Sequence, residues 1–126
     1  MKFEAFEAYC LSLPAATLTV QWSDAHVFKV GGKMFAVARP SGEGHLGGYT
    51  FKASDMAFEL LVEQGIARPA PYLARAKWVQ LLARDSLPER DLRAYLDEAH
   101  ALVSARLTRA ARKELGLTCG LCGPTL

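Results

Sequence analysis

Three cysteines in 126 residues are too few, and an odd count, for a disulfide framework. Two of them, Cys119 and Cys122, crowd the C-terminal end. No stretch approaches the roughly 18 consecutive apolar residues that a membrane span requires. The opening Met1-Lys2-Phe3-Glu4 carries an acid early and lacks the apolar core of a secretory signal. These absences lead us to expect a reduced, cytoplasmic protein with no membrane partner. Catalytic signatures are missing as well. His26, His45 and His100 fall on separate elements and have no metal-ligand spacing. There is no G-x-S-x-G, no H-E-x-x-H and no obvious carboxylate pair. Glu43 and His45 are two apart on a loop, a poor platform for positioned acid–base work. The expectation is a non-enzymatic protein with no catalytic residue, no metal and no cofactor. Charge of either sign is not in excess: 15 basic against 13 acidic residues give a net charge of +2. An anionic partner can therefore be argued only from local clustering.

What is present is a globular composition, 51% hydrophobic and 22% charged. A chain of this length suits one domain and buries about two-thirds of its unfolded surface. The expected domain spans residues 1–116. Residues 117–126 are Gly-rich and short, and are expected to form a fraying tail.

Residues 2–13 read as a helix, because Phe3, Phe6, Tyr9, Cys10 and Leu13 recur at spacings of three and four. Pro14 ends it. His26-Val27-Phe28-Lys29-Val30 and Lys33-Met34-Phe35-Ala36-Val37 flank Gly31-Gly32, the signature of a two-residue hairpin. The simplest register sets Val30 opposite Lys33 and Phe28 opposite Phe35. It puts His26, Phe28, Val30, Phe35 and Val37 on the core face and Val27, Lys29, Met34, Ala36 and Ala38 on the other. Strands are also expected near Thr17–Trp22, near Tyr49–Lys52 and over Lys77–Leu82. A second helix is expected over 55–64, with Ser54 as N-cap, Gly65 as stop, and Met56, Phe58, Leu60 and Leu61 on its apolar side. Pro69-Ala70-Pro71 reads as an irregular crossing. Ser86-Leu87-Pro88-Glu89 fits a capping box. It predicts one long helix to Leu115, stopped by Gly116, with Leu92, Leu96, Ala99, Val103 and Leu107 as its buried stripe and Tyr95 and Leu102 widening it. The fold class is α+β in two layers: a largely antiparallel sheet with helices on one face, in the order α-β(3-4)-α-β(1-2)-α.

Several segments resemble one family. Tyr9-Cys10-Leu11-Ser12-Leu13-Pro14 resembles the opening Y-C-x-x-L-P of the MmcQ/YjbR family. Phe28–Ala36 resembles its F-K-V-G-G-K-M-F-A hairpin. Pro71-Tyr72 with Trp78-Val79 resembles its P-x-Y…W-V segment, and Leu102-Val103-x-x-x-Leu107 resembles the end of its last helix. Four weak motifs in the right order cover residues 9 to about 115. The resemblance implies a two-layer α-β(3)-α-β(2)-α fold, and a DNA-binding, double-wing-like role is suggested for that family. The chain departs from the pattern at Ala15-Ala16, where the family often has glycine, and at Ala99-His100, where its last helix often has Ser-Tyr.

Segment 64–84 holds Arg68, Arg75, Lys77 and Arg84 and no acid, a local charge of +4, with Tyr72 and Trp78 interleaved. Cations for phosphates and flat rings for bases are what a nucleic-acid surface needs. The hairpin adds Lys29 and Lys33, with Arg39 and Lys52 nearby. The candidate nucleic-acid-binding residues are therefore Lys29, Lys33, Arg68, Tyr72, Arg75 and Lys77, and DNA is the expected partner. On the bland reading, Trp78 and Val79 are core and the cations are solubilising charge or edge protection. Arg106, Arg109, Arg112 and Lys113 end the last helix, whose start carries Glu89 and Asp91, as the helix dipole favours. Cys119-Gly120-Leu121-Cys122 has no second pair to complete a zinc site. The loop Ser41–Gly48 lacks the Gly-Lys-Ser/Thr ending of a P-loop. The competing reading is a protein-interaction or small-ligand module, a chaperone-like adaptor. It requires Val27, Met34, Ala36 and Ala38 to form an exposed apolar patch.

Overall fold

The first helix ends where proline requires it. In the computed structural model, which describes residues 2–21, 25–39, 48–70, 76–83, 85–114 and 116, α1 spans Phe3–Ser12. Pro14 follows, and Ala15, in the left-handed region (φ 58°), turns the chain into a strand. Four strands come next: β1 (Ala16–Gln21), β2 (Ala25–Val30), β3 (Lys33–Ala38) and β4 (Tyr49–Lys52). Helix α2 (Asp55–Glu63), β5 (Ala67–Pro69), β6 (Trp78–Leu81), α3 (Glu89–Ser104) and α4 (Arg109–Glu114) complete the chain. Together the strands form an antiparallel six-stranded sheet in the order β1-β2-β3-β4-β6-β5. The expected α+β class, with the helices on one face, is what is found.

The main core lies between sheet and helices. Phe6 and Cys10 of α1, Leu61 of α2 and Leu92, Leu96 and Ala99 of α3 pack onto Phe28, Phe35, Tyr49 and Phe51. Stacking of Phe6 on Tyr49, ring centroids 4.2 Å apart, seats α1 on the sheet. Tyr9 joins α1 to α3: its hydroxyl donates to Asp97 Oδ1 at 2.5 Å, and the Arg93 guanidinium lies 5.3 Å over its ring. Partial burial, and then the Asp97 carboxylate, push the Tyr9 phenol up to about 12. The residues of the expected stripe are all buried, Leu92, Leu96, Ala99 and Val103 on α3 and Leu107 in the turn after it.

The hairpin register departs from simple alternation. Val30 does face Lys33, but a β-bulge at Phe28/Lys29 sets Phe28 opposite Ala36 and Lys29 opposite Met34, leaving Phe35 as the extra residue. The faces of β3 therefore exchange. Ala36 and Ala38 enter the main core, while Val37 packs on the helix-free face in a second cluster with Ala25, Val27, Ala70 and Trp78.

Four other expectations need correction. Met56 is 79% exposed and Leu60 is also exposed, so α2 buries only Ala57 and Leu61. The capping box does not form: Ser86 Oγ accepts from the Ala83 amide, and α3 begins after Pro88. The single long helix is two, because the chain turns at 105–108 and Thr108 Oγ1 caps α4 by accepting from the Ala111 amide. β5 forms just ahead of the segment read as irregular and shares Pro69 with it, at the sheet edge, where Pro69 needs no ladder donor. Ser54, by contrast, is the N-cap of α2 as expected, accepting from the Ala57 amide at 3.1 Å.

Gly31 and Gly32 both have positive φ, 60° and 80°. They differ in their surroundings: a Cβ on Gly31 would come within 2.7 Å of the Leu107 methyls, and one on Gly32 would meet nothing. Gly32→Ala should therefore cost about 1 kcal/mol from backbone strain alone. Gly31→Ala should cost about 2–3 kcal/mol, because Leu107 must also move. Urea unfolding of the two variants checks the ordering.

Candidate nucleic-acid interface

Alternation along each strand decides which charges share a face. Pairing places Thr19, Val27, Val37, Thr50, Gln80 and Arg68 in one row across the helix-free face. Lys29 belongs to the same face, opposite Met34. Arg68 Nε donates to Gln80 Oε1 at 2.8 Å, which holds the guanidinium against the sheet. Lys29 on β2 and Arg68 on β5 are four strands apart, about 19 Å at ~4.8 Å per strand. Val27, Val37 and Gln80 between them are buried, so the middle of this face is covered and the two cations stand on its flanks.

Among the described residues, acids are confined to one of the two layers, whereas bases occur in both. None of the six strands contains an aspartate or glutamate, while they carry Lys29, Lys33, Lys52 and Arg68. The acids among the described residues lie on the helices or on the approach to α3. Substitution of the sheet with a single sign of charge leaves its field uncancelled locally.

A second concentration forms at one end of the sheet. The start of β3, the end of β4 and the start of β6 meet there, bringing Lys33, Lys52 and Lys77 to the same end. The turn after α3 arrives beside them, because Leu107 lies against Gly31. Lys52 is only 8% exposed, and its Nζ donates to the Ala76 carbonyl. Burial lowers the Lys52 pKa first, the Arg106 charge lowers it further, Asp55 raises it, and Lys77 lowers it again. Lys77 has a left-handed backbone (φ 63°), and its carbonyl accepts from the Ala53 amide at 2.9 Å. Its ammonium sits 4.9 Å over the Phe58 ring, a cation–π contact.

Of the residues singled out in the sequence, Lys33 and Lys77 share this end and Lys29 and Arg68 share the helix-free face. Tyr72 and Arg75 lie outside the described residues, as do Arg84, the loop glycines 42, 44 and 47 with His45, and the Cys119–Cys122 pair. Trp78 is buried, so it is core rather than a stacking platform. Lys52 and Arg106 were undervalued: nothing in local sequence distinguishes a strand-end lysine that becomes buried, and Arg106 reads as an ordinary basic helix end. The patch required by the adaptor reading does not form, since Val27, Ala36 and Ala38 are fully buried.

The histidines among the described residues have structural partners. His26 Nδ1 is 2.7 Å from Glu7 Oε2, and Phe3 packs edge-on against its ring. His100 Nε2 is 2.7 Å from the Pro14 carbonyl, with Phe35 edge-on. Burial pushes the Cys10 thiol up, away from thiolate chemistry. Among the described residues no cluster of His, Cys, Asp and Glu could hold a metal, and no helix is long and apolar enough to cross a membrane.

A family model described as YjbR matches residues 11–102. Among solved structures, the Deinococcus radiodurans protein DR2400, described by its domain DUF419, superposes with a TM-score of 0.81 at 25% identity. The match covers 99% of this chain and 95% of that one. No curated protein matches the chain.

Variants at Lys52 and Lys77 test the buried charge and the strained backbone of the sheet end. A lysine whose pKa is lowered on folding binds fewer protons in the native state than in the unfolded one, so its contribution to stability rises with pH. That change runs from the depressed native value up to the ordinary 10.5. Lys52→Met, which keeps the aliphatic packing and removes the buried charge, should be at least as stable as the wild type near neutrality. The advantage of the variant should shrink as pH approaches the lysine range, measured by urea melts at matched pH. Lys77→Gly should leave stability unchanged or raise it by up to about 1 kcal/mol, because glycine accepts the left-handed backbone. Lys77→Val should lower the melting temperature.

Proposed function

The chain belongs to the YjbR family, and we propose that it is a non-enzymatic domain that binds nucleic acid weakly through the phosphate backbone, without reading sequence. The observation that carries this reading is that the strands carry cations and no acid. A polyanion that reaches the strand cations at the flanks and end of the sheet meets attraction without repulsion from a strand carboxylate. Lys29 and Arg68 would hold phosphates across the helix-free face, and Lys33 and Lys77 would hold them at its end. The same reading gives Arg75 a further phosphate contact and Tyr72 a stacking role. Structural partners for His26 and His100 support the non-enzymatic part. The alternative of a protein-interaction or small-ligand module loses its named apolar surface to burial, and no other observation favours it.

Four phosphate contacts from Lys29, Lys33, Arg68 and Lys77 would give a slope of log affinity against log salt of about −3.6, at roughly −0.9 per contact. Fluorescence anisotropy with duplex and single-stranded DNA measures it. Replacing Lys29 and Lys33 together by alanine should flatten the slope by about 1.8 and weaken all sequences alike. Absence of binding at about 50 mM salt, where such contacts are strong, refutes the proposal.

A further inference from the structure

We infer that the open edge of β1 is a self-association surface, on which a second copy of this chain pairs antiparallel, β1 to β1, about a two-fold axis that passes through Thr19 normal to the sheet. The inference rests on the sheet edge alone and is independent of the nucleic-acid reading.

The two edges of the sheet differ in how they are protected. β5, at one end of the strand order, is three residues long and holds Arg68 and Pro69, which discourage a further strand. β1, at the other end, is six residues long and contains no charge, no proline and no glycine. Thr17, Thr19 and Val20 are β-branched, which favours strand pairing.

Hydrogen-bond phase decides what the β1 edge offers. Gly31-Gly32 is a two-residue link, so Val30 and Lys33 close the hairpin as a hydrogen-bonded pair, and the main-chain groups of Val30 point to β3. Those of Lys29 and Val27 then point to β1, where Thr17 and Thr19 stand opposite them. Leu18 and Val20 are left with their N–H and C=O groups turned outward, and no backbone group among the described residues pairs with them. The same alternation directs the Ala16 amide away from β2, and it donates to the Leu13 carbonyl at 3.1 Å.

The side chains of the two outward-turned residues are apolar. Leu18 and Val20 stand opposite Phe28 and His26, on the helix-covered face. α1 packs against those β2 neighbours, Phe6 on Phe28 and Phe3 on His26. Leu18 stays 36% exposed beside it and Val20 55%.

A second copy complements all of these features at once. In the pairing centred on Thr19, Leu18 faces Val20 of the second copy and Val20 faces its Leu18. Each of these pairs exchanges both main-chain hydrogen bonds, because the residues are the outward-turned ones. A two-fold axis normal to the sheet keeps both helix layers on one side, so the exposed Leu18 and Val20 side chains cover one another. Thr19 meets Thr19 of the second copy on the helix-free face, a favourable cross-strand pair. An uncharged strand meets no like-charge repulsion from its own copy, and no charged side chain on β1 selects a foreign strand. The two helix-free faces become one, with Lys29 of both copies on it.

Sedimentation equilibrium of the full chain from about 10 µM to about 1 mM tests the pairing, a range suited to a small interface. The mass should rise from the 13.8 kDa of the monomer toward twice that value. Amide exchange followed by NMR at both ends of the range identifies the surface. Protection of the Leu18 and Val20 amides should grow by about tenfold on concentration, and that of Thr17 and Thr19, already facing β2, should change less. Val20→Lys and Leu18→Lys each put a charge where the pairing covers an apolar side chain. Both should hold the chain monomeric, with the urea midpoint of the wild type at low concentration. Val20→Thr, which keeps an uncharged β-branched residue, should still associate. A monomer throughout that range overturns the inference. So does a dimer that both lysine variants leave intact, which places the contact elsewhere. Protection of the Leu18 and Val20 amides that does not change with concentration also overturns it, because the edge is then covered within one copy.

Discussion

Leu107 lies so close to Gly31 that a Cβ there would come within 2.7 Å of its methyls, so any other residue would have to displace them. That contact joins the tip of the central hairpin to the end of α3. It requires glycine twice over, once for the left-handed backbone and once for the space. With the hairpin tip held, the chain after Ser104 turns at the end of the sheet where Lys33, Lys52 and Lys77 stand. Burial and the Arg106 charge both lower the Lys52 pKa there.

Buried apolar surface stabilises this arrangement against that repulsion. The rings of Phe6, Phe28, Phe35, Tyr49 and Phe51 fill the layer between helices and sheet. Removing any one of these would cost about 3–5 kcal/mol in a site that cannot collapse. Against a reserve of that size, one desolvated lysine is tolerable. A family member with this fold can therefore carry a charged end at a modest cost in stability.

The strand and helix identities were legible wherever local chemistry decides them. Gly31-Gly32 marked the hairpin, Ser54 the start of α2, Gly65 its end, and the spacing of Leu92, Leu96, Ala99 and Val103 the buried face of α3. Legibility failed where a nonlocal contact intervenes. A two-residue period cannot register a bulge, and one extra residue at Phe35 sent Val37 to the face opposite the one expected. Ser86 faced two candidate partners and capped the preceding turn instead of α3. Met56 and Leu60 have helical spacing, but the sheet beneath α2 meets only the Ala57–Leu61 side.

By itself, then, the sequence determined the α+β class, the antiparallel hairpin, the order of elements and the excess of cations in two segments. Those follow from turn chemistry, periodicity and composition, which act over a few residues. Only the tertiary structure decided which cations stand together. Lys33, Lys52 and Lys77 are far apart along the chain, and their placement at one end of the sheet depends on strand pairing. Burial of Lys52 and of Trp78 was likewise settled by packing, because exposure belongs to the assembled surface and not to a residue type. Trp78, Arg68 and Lys77, which read as parts of one basic and aromatic segment, are divided between core, sheet face and sheet end.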